Sequence, residues 1–220
     1  MKILITGASG GIGAACAKKF LSLGHEVHGI DLLPAAVERS GYFHHIADVK
    51  DAASLPDLEN VAVIFNNAGT QNSEDDIGNN LKGAINVTEK YIKDNGSIVS
   101  VLFNASASAV SGQEFPEYVA SKSGLLGYMR NCAIRLAPAG ATCNAISLGG
   151  VKTALNAPVM DDAKCWESIM EVTPLKRWME PEEVAEWVVF LTLTNKAMSG
   201  QNLLIDNGEK DLNPTFVWPD

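Results

Sequence analysis

The sequence predicts an α/β fold, a single domain in which a doubly wound parallel sheet lies between two layers of helices (three-layer α/β/α). Three observations predict it. Short apolar runs of strand length alternate with longer amphipathic runs, and this alternation builds right-handed βαβ units. The first run ends in a glycine-rich turn that leads straight into a helix. The length, 220 residues, suits one large core, and no repeat, linker or low-complexity tract divides residues 1–220.

The elements follow in order. Lys2–Thr6 is short, apolar and β-branched, as a buried strand is. Gly13–Leu23 has helical spacing, with Ile12, Cys16, Phe20 and Leu23 to one side and Gly24 as its stop. Glu26–Asp31 reads as the second strand and Val61–Asn67 as another buried one. Asp51–Leu58 has room for a turn or two of helix. Asn86–Lys93 reads as helix, Asn95-Gly96 as a turn, and Ser97–Leu102 as strand. Tyr118–Leu136 is a long helix ended by Pro138 and Gly140. Thr142–Ser147 and Asn202–Ile205 are strands. Between them Pro181 starts a helix that runs to about Leu193.

Composition narrows the function classes. The chain is 46% hydrophobic and 20% charged, ordinary values for a water-soluble globular domain. No apolar run reaches the roughly 20 residues of a membrane span. The N-terminal apolar stretch is too short for a signal peptide. A net charge of −9 opposes a nucleic-acid surface and favours solubility. Cys16, Cys132, Cys143 and Cys165 form no C-x-x-C pair, and His25, His28, His44 and His45 show no ligand spacing. The expectation is a cytoplasmic protein with reduced thiols, no metal and structural or solvated histidines.

The glycine-rich turn reads Thr6-Gly7-Ala8-Ser9-Gly10-Gly11-Ile12-Gly13. Glycines let a backbone approach a diphosphate closely, and the helix N-terminus behind them offers free N–H groups. Asp31 stands 18 residues beyond Gly13, at the next strand end. There a carboxylate accepts from the adenosine ribose hydroxyls and repels a 2′-phosphate. These features give a Rossmann-type nucleotide site with NAD favoured over NADP. The plainer reading of Asp31 is a cap for the turn before Pro34.

Tyr118 and Lys122 are four apart on one helix face. A phenol is a poor base at neutral pH. A neighbouring ammonium stabilises the phenolate, so Tyr118 suits proton exchange with an alcohol or carbonyl oxygen. Alone, such a pair is common on helix surfaces.

The ordered motifs together resemble the short-chain dehydrogenase/reductase family, over residues 1 to about 208. They are G-x-x-x-G-x-G at Gly7, Gly11 and Gly13, Asp48-Val49, Asn66-Asn67-Ala68-Gly69, Asn80-Leu-Lys-Gly83, Tyr118-x-x-x-Lys122 and Asn144 to Gly150. The resemblance implies NAD-dependent oxidoreduction of an alcohol or ketone. It implies Tyr118, Lys122, Asn80 and a serine as the catalytic set, with Asn80 holding a water that relays protons to Lys122. It places cofactor contacts at Gly7, Ser9, Gly10, Gly11, Ile12, Gly13, Asp31, Asp48, Val49, Asn67, Ala68, Gly69, Tyr118, Lys122, Val151 and Thr153. Asn66 is partly structural in that reading.

The sequence also departs from the pattern. The family's serine lies about 13 residues before the tyrosine, where this chain has Ala105. Ser106 is favoured, Gly112 giving a place for the shortened loop, with Ser108 and Asn104 left open. Leu148 replaces a proline, which frees φ and loosens the wall beside the nicotinamide. Residues 49–65 and 70–80 are short, which bears on the usual helix-mediated subunit contact. A substrate lid is expected at about residues 151–180, carrying Met160, Trp166, Ile169, Met170 and Trp178. The tail residues Phe216 and Trp218 are expected to dock on this domain, the lid or a neighbouring subunit. The expected assembly is a homo-oligomer, dimer or tetramer, with no nucleic-acid or membrane partner. The competing reading is an NAD-binding sensor or scaffold of the same fold with little turnover.

Overall fold

The structure is a computed structural model that describes residues 1–93, 97–210 and 212. The chain runs β1 (Lys2–Thr6), α1 (Gly11–Ser22), β2 (Glu26–Asp31), β3 (Tyr42–Ile46), β4 (Val61–Asn66), α2 (Gly83–Ile92), β5 (Ser100–Asn104), α3 (Ser108–Ser111), α4 (Pro116–Leu136), β6 (Thr142–Leu148), α5 (Ala157–Met160), α6 (Ala163–Val172), α7 (Pro181–Val189) and β7 (Asn202–Ile205). Wider π-helical turns precede α2 (Ile77–Lys82) and extend α7 (Phe190–Thr194).

The strands form one parallel sheet in the order β3-β2-β1-β4-β5-β6-β7. The order reverses between β1 and β4, the point beyond whose strand C-termini such sheets take a ligand. Both faces of the central strands are buried, so their sequences are apolar throughout rather than alternating. Ile3, Ile5, Phe65 and Leu102 face Phe20 of α1 and Val188 of α7. Leu4, Ile64, Val101 and Phe103 face Val87 of α2 and Met129 of α4. Among the described residues no helix is long and apolar enough to cross a membrane.

The fold differs from expectation at one edge. Tyr42–Ile46 was not expected as a strand, yet it pairs with β2 from Val27↔Tyr42 to Asp31↔Ile46. Its sequence YFHHI lacks the unbroken apolar run of a fully buried strand, because part of it faces solvent: Phe43 is 48% and Ile46 69% exposed. The turn or two of helix expected at Asp51–Leu58 is reduced to one hydrogen-bonded turn over residues 52–54, Ser54 N donating to Asp51 O at 3.0 Å. Ser54 Oγ donates to the carbonyl oxygens of Asp48 and Asp51, and Pro56 supplies no N–H, so local bonds outcompete a helix. Residues 32–41, which connect β2 to β3, are likewise without a helix. The three layers therefore thin at the β2–β3 edge. β5 begins three residues later than expected and ends at Asn104 rather than Leu102. The turn expected at Asn95-Gly96 and the tail residues Phe216 and Trp218 lie outside the described residues.

Candidate active site

The glycine-rich turn is shaped for close approach. Gly7 has φ +65°, and a Cβ there would come within 2.9 Å of the Ala68 backbone. A Cβ on Gly13 would lie 2.0 Å from the Gly7 carbonyl oxygen, so helix and turn touch without side chains between them. Over Gly10 the space is open, and a methyl group there would meet nothing within 4 Å. Gly10 caps α1 with no side-chain hydrogen bond, and the first turn holds no acid. The leading N–H groups of Gly11, Ile12 and Gly13 are thus free of side-chain acceptors and suited to an anion such as a diphosphate. Thr153 closes over Gly11, its Cγ2 3.0 Å from where a Cβ would stand. These features fit a dinucleotide.

Asp31 ends β2 and does act as a turn cap. Its Oδ1 accepts from Leu33 N at 3.0 Å and its Oδ2 from Ser9 N at 2.9 Å, while Ser9 Oγ donates to Leu33 O. The capping bonds leave the carboxylate free to take a further donor. The carboxylate is fixed against the glycine turn, and each oxygen keeps a second lone pair for a ribose hydroxyl. Asp48 turns the chain after β3, its Oδ1 accepting from Lys50 N at 2.8 Å. Val49 fills the space beside Gly83, where a Cβ would stand 2.5 Å from its Cγ2.

Past β4, Asn67 ties the strand ends together. Its Nδ2 donates to the carbonyl oxygens of Thr6 and Gly7, and its Oδ1 accepts from Asn104 Nδ2 at 2.9 Å. Asn67 N and Ala68 N both donate to Thr6 Oγ1 at 3.0 Å. Asn66 turns the other way, to Thr88 Oγ1 in the core, which is a structural role. A π-helical turn, a form common at functional sites, brings Asn80 inward to 1% exposure. Asn80 accepts from Thr70 N at 2.7 Å and donates to Thr70 O and Ser121 Oγ, both at 2.9 Å. Thr70 is held in turn by the buried Asp76, whose carboxylate accepts from Thr70 Oγ1, Ser73 Oγ and the backbone of Asn72 and Ser73. Thr70, Asp76 and Ser121 were not expected in the site. The one clue to Asp76 was an acid four residues before Asn80.

α4 starts with Pro116 in its first turn, a position that needs no N–H. Its buried face is Ser121, Lys122, Leu125, Leu126, Met129, Cys132, Ala133 and Leu136. Lys122 is the cation within this stripe, 5% exposed, its Nζ donating to Asn104 O at 2.8 Å and lying 5.7 Å from the Tyr118 ring centre. Burial pulls Lys122 down to about 8, against the opposing pull of Asp76. Burial likewise pushes Tyr118 up to about 12; its hydrogen bond with Ser106 lowers it, while the charges of Glu114 and Asp76 raise it. From sequence the lysine was expected to depress the phenol. In the protein by itself burial is the largest influence on the phenol, and the Lys122 ammonium donates to Asn104 O instead.

The later start of β5 carries the serine region past the strand end. Leu102 and Phe103 enter opposite cores, and Asn104 is taken up by Asn67 and Lys122. Ser106 follows the strand end, 5% exposed, and its side chain meets Tyr118. Ser108 sits behind it, donating to Ser106 Oγ from both Oγ (2.8 Å) and N (3.2 Å). Gly112, at φ +73°, ends α3 and turns the chain toward α4.

The wall after β6 keeps its backbone bonds where the proline is missing. Leu148 stays in the strand opposite Ile205, its carbonyl accepts from Ala107 N at 2.9 Å, and Gly149 N donates to Ile205 O at 3.0 Å. The Trp178 indole occupies the space a Gly150 side chain would need, 1.9 Å from the ideal Cβ. Val151 pairs with Met179 beside it. Among the described residues no three His, Cys, Asp or Glu converge as a metal site requires. Surface clefts between α1 and α7 and along α2 lie away from Tyr118.

Comparison with known proteins agrees with this geometry. A family model described as enoyl-(acyl carrier protein) reductase matches residues 7–210. The chain is 28% identical to L-rhamnose 1-dehydrogenase (NAD(P)(+)) of Azotobacter vinelandii, over 94% of this chain and 95% of that one. It is 33% identical to acetoacetyl-CoA reductase of Paracoccus denitrificans, over 86% and 88%. A crystal structure of a short-chain dehydrogenase/reductase family oxidoreductase from Burkholderia thailandensis superposes with a TM-score of 0.85 at 28% identity, over 94% of this chain and 92% of that one. The chain belongs to the short-chain dehydrogenase/reductase family of nicotinamide-dependent oxidoreductases.

Proposed function

We propose that the protein moves a hydride between NAD(H) and an alcohol or carbonyl carbon, with Tyr118 as the acid/base. The observation that carries this reading is the convergence of Ser106, Tyr118 and Lys122 at the sheet's C-terminal edge, beside an uncapped glycine turn. When bound, the nicotinamide would supply the hydride chemistry and, oxidised, a positive ring charge. Gly7 and Gly10–Gly13 would hold its diphosphate, Asp31 the adenosine ribose, and Val151 and Thr153 the carboxamide side.

In reduction, Tyr118 donates its proton to the substrate oxygen while the Ser106 hydroxyl holds that oxygen as negative charge develops. A phenol near 12 is fully protonated at neutral pH, so this direction finds its acid ready. In oxidation Tyr118 must first lose a proton, and the Lys122 ammonium favours that state. Asn80 keeps its place against Thr70 and Ser121 and would hold the water that passes protons to Lys122. Residues at about 151–180 close over the substrate and exclude water.

A screen of alcohols and ketones with NAD(H) and NADP(H), following the absorbance of the reduced nicotinamide, tests the reading. Turnover with NAD(H) that is lost in Tyr118→Phe is the expected result. Cofactor binding without turnover on any member would make the protein a sensor or scaffold instead.

A further inference from the structure

Five polar residues outside the catalytic set gather beside it, from three separate segments. Gln71 lies two residues beyond Gly69, whose absent side chain leaves Asn80 and the Lys122 ammonium against the backbone. Gln113 and Glu114 lie in the loop before α4. Glu209 and Lys210 follow β7, in a turn folded by buried Asp206, which accepts from Gly208 N and Lys210 N. Gly149 leaves room for that Asp206, so the turn packs directly on the end of β6.

The segments are joined by side chains. Lys210 Nζ donates to Gln113 Oε1 at 2.8 Å and pairs with Glu209 Oε1 at 3.2 Å. Gln71 Nε2 donates to Glu114 Oε2 at 3.0 Å. Glu114 is close enough to Tyr118 for its charge to act on the phenol. It stands on left-handed backbone, φ +87°, which a glutamate adopts only when its surroundings hold it there. Two features are left over. Glu209 Oε2 is buried with no hydrogen-bond partner, on a side chain that is 14% exposed as a whole. Lys210 has spent two of its three ammonium protons.

A buried carboxylate oxygen without a donor is costly unless a ligand supplies one. The chemistry of that ligand follows from the mixture of charges. Two carboxylates around one ammonium oppose an anion, such as a carboxylate or phosphate. The ammonium opposes a cation and offers protons that a cation cannot accept. A hydroxyl both donates and accepts, and so satisfies Glu209 and Lys210 together.

We propose that Gln71, Gln113, Glu114, Glu209 and Lys210 form the recognition site for the non-reacting part of the substrate, and that this substrate is a neutral, polyhydroxylated, sugar-like compound. The inference rests on Tyr118 marking the reacting centre. A vicinal diol places one hydroxyl on Glu209 Oε2 and its neighbour on Lys210 Nζ, while the carbinol carbon faces Tyr118 and Ser106. Glu114, crowded on its protein side though open to solvent on the other, is pushed up chiefly by lost solvation. It adds a further hydroxyl partner at the mouth.

The test compares four probes with NAD⁺: an aldose such as D-glucose or L-rhamnose, cyclohexanol, 3-hydroxybutyrate and an amino alcohol. The aldose is expected to have the highest kcat/KM. Glu209→Gln, which keeps the shape, and Lys210→Met are each expected to lower the aldose-to-cyclohexanol ratio by about 10- to 100-fold, chiefly through KM, as loss of a charged hydrogen-bond partner does. Turnover confined to the anionic, cationic or apolar probe overturns the proposal. So does an equal loss on aldose and cyclohexanol in both variants. Saturation-transfer NMR with aldose and NAD⁺ separates this idea from hydride transfer itself. Aldose binding that weakens in Glu209→Gln without any turnover keeps the site and defeats the redox reading. An aldose that is neither bound nor turned over defeats the site.

Discussion

The two halves of the sheet are built to different standards. From β4 to β6 every strand is covered on both faces, by α1 and α7 on one side and α2 and α4 on the other. At β2 and β3 the connections 32–41 and 47–60 carry no helix, and Leu32, Leu33, Phe43 and Ile46 are each at least 48% exposed. The difference suits the work proposed for each half. Proton transfer needs groups held to fractions of an ångström inside a dry site. Holding an adenosine needs little beyond a strand end and a fixed carboxylate. Asp31 is fixed by two backbone N–H groups, one of them from the glycine turn, and needs no helix behind it.

The largest expected effect is in the covered half. Tyr118→Phe removes one hydroxyl and leaves the ring packed against its neighbours. Turnover is expected to fall by about 10²–10⁴-fold, the range for lost acid–base catalysis, while NAD affinity is retained. Near-normal kcat in this variant would break the assignment. Next comes Ser106→Ala, with a loss of about 10²-fold in kcat, as for removal of an oxyanion donor. Ser108→Ala should cost only severalfold, because Ser108 touches Ser106 and reaches Tyr118 only through it. Steady-state kinetics of both variants decides the ranking, and a reversed order would hand the substrate oxygen to Ser108.

On the thin half, Asp31→Asn tests whether a carboxylate without helical backing sets cofactor choice. Removing the charge should narrow the preference for NAD over NADP by about 1–3 kcal/mol, read by titration of both cofactors. The amide oxygen can keep only one of the two N–H bonds, from Ser9 or from Leu33, so the turn is partly relaxed. Equal or tighter NADP binding by the unaltered protein would show that Asp31 is a turn cap and nothing more.

How far the sequence exposed each half also differs, for physical reasons. The glycine turn, Asn67, Asn80, Tyr118 and Lys122 are local patterns, and a lysine inside the stripe Leu125-Leu126-Met129 is conspicuous on sequence alone. β3 was hidden because its pairing with β2 is long-range and its two histidines masquerade as loop. His28, His45 and Glu26 in fact bond in series, His28 Nδ1 to His45 Nε2 at 2.9 Å and His28 Nε2 to Glu26 Oε1 at 2.8 Å. The join of Gln71, Glu114 and Lys210 was equally invisible, since three segments meet there only in space. The start of β5 was misplaced because Ile98 and Val99 are as apolar as the strand itself. Pairing with β6 begins only at Ser100, whose Oγ lies 2.9 Å from Thr142 Oγ1.

Lys122 links function to stability. Its folded pKa, about 8, lies below the 10.5 of the free side chain. Between these values the unfolded chain binds more protons than the folded one, so stability rises with pH across about 8 to 10.5. Below pH 8 the full penalty of the buried charge is present. Lys122→Met removes that penalty but leaves the Asn104 carbonyl without its donor, which returns about 1–3 kcal/mol of cost. The net expectation is a variant about 1 kcal/mol more stable at pH 7, with an advantage that shrinks by pH 10. Urea unfolding at the two pH values measures it. A variant less stable than the parent at pH 7 would mean that the Asn104 bond outweighs the burial of charge.

The smallest expected effect lies at the edge strand, and it probes the contrast most directly. Phe43 is half exposed and rests on His28, ring centres 5.0 Å apart and nearly parallel. Truncating it to alanine forfeits one aromatic contact and part of a ring's burial, about 1 kcal/mol. Phe103, two strand pairings toward the catalytic centre from β1, is fully buried among α2 and α4 residues, where the same truncation costs about 3–5 kcal/mol. Because Asp31 is held by the backbone of Ser9 and Leu33 rather than by β3 side chains, Phe43→Ala should leave NAD affinity within about twofold, well under 1 kcal/mol. Thermal unfolding and cofactor titration on the one variant give both numbers. A large loss of stability would show that the exposed ring carries packing the thin edge depends on. A large loss of affinity at unchanged stability would show that β3 side chains, and not the two backbone N–H groups, hold Asp31 in place.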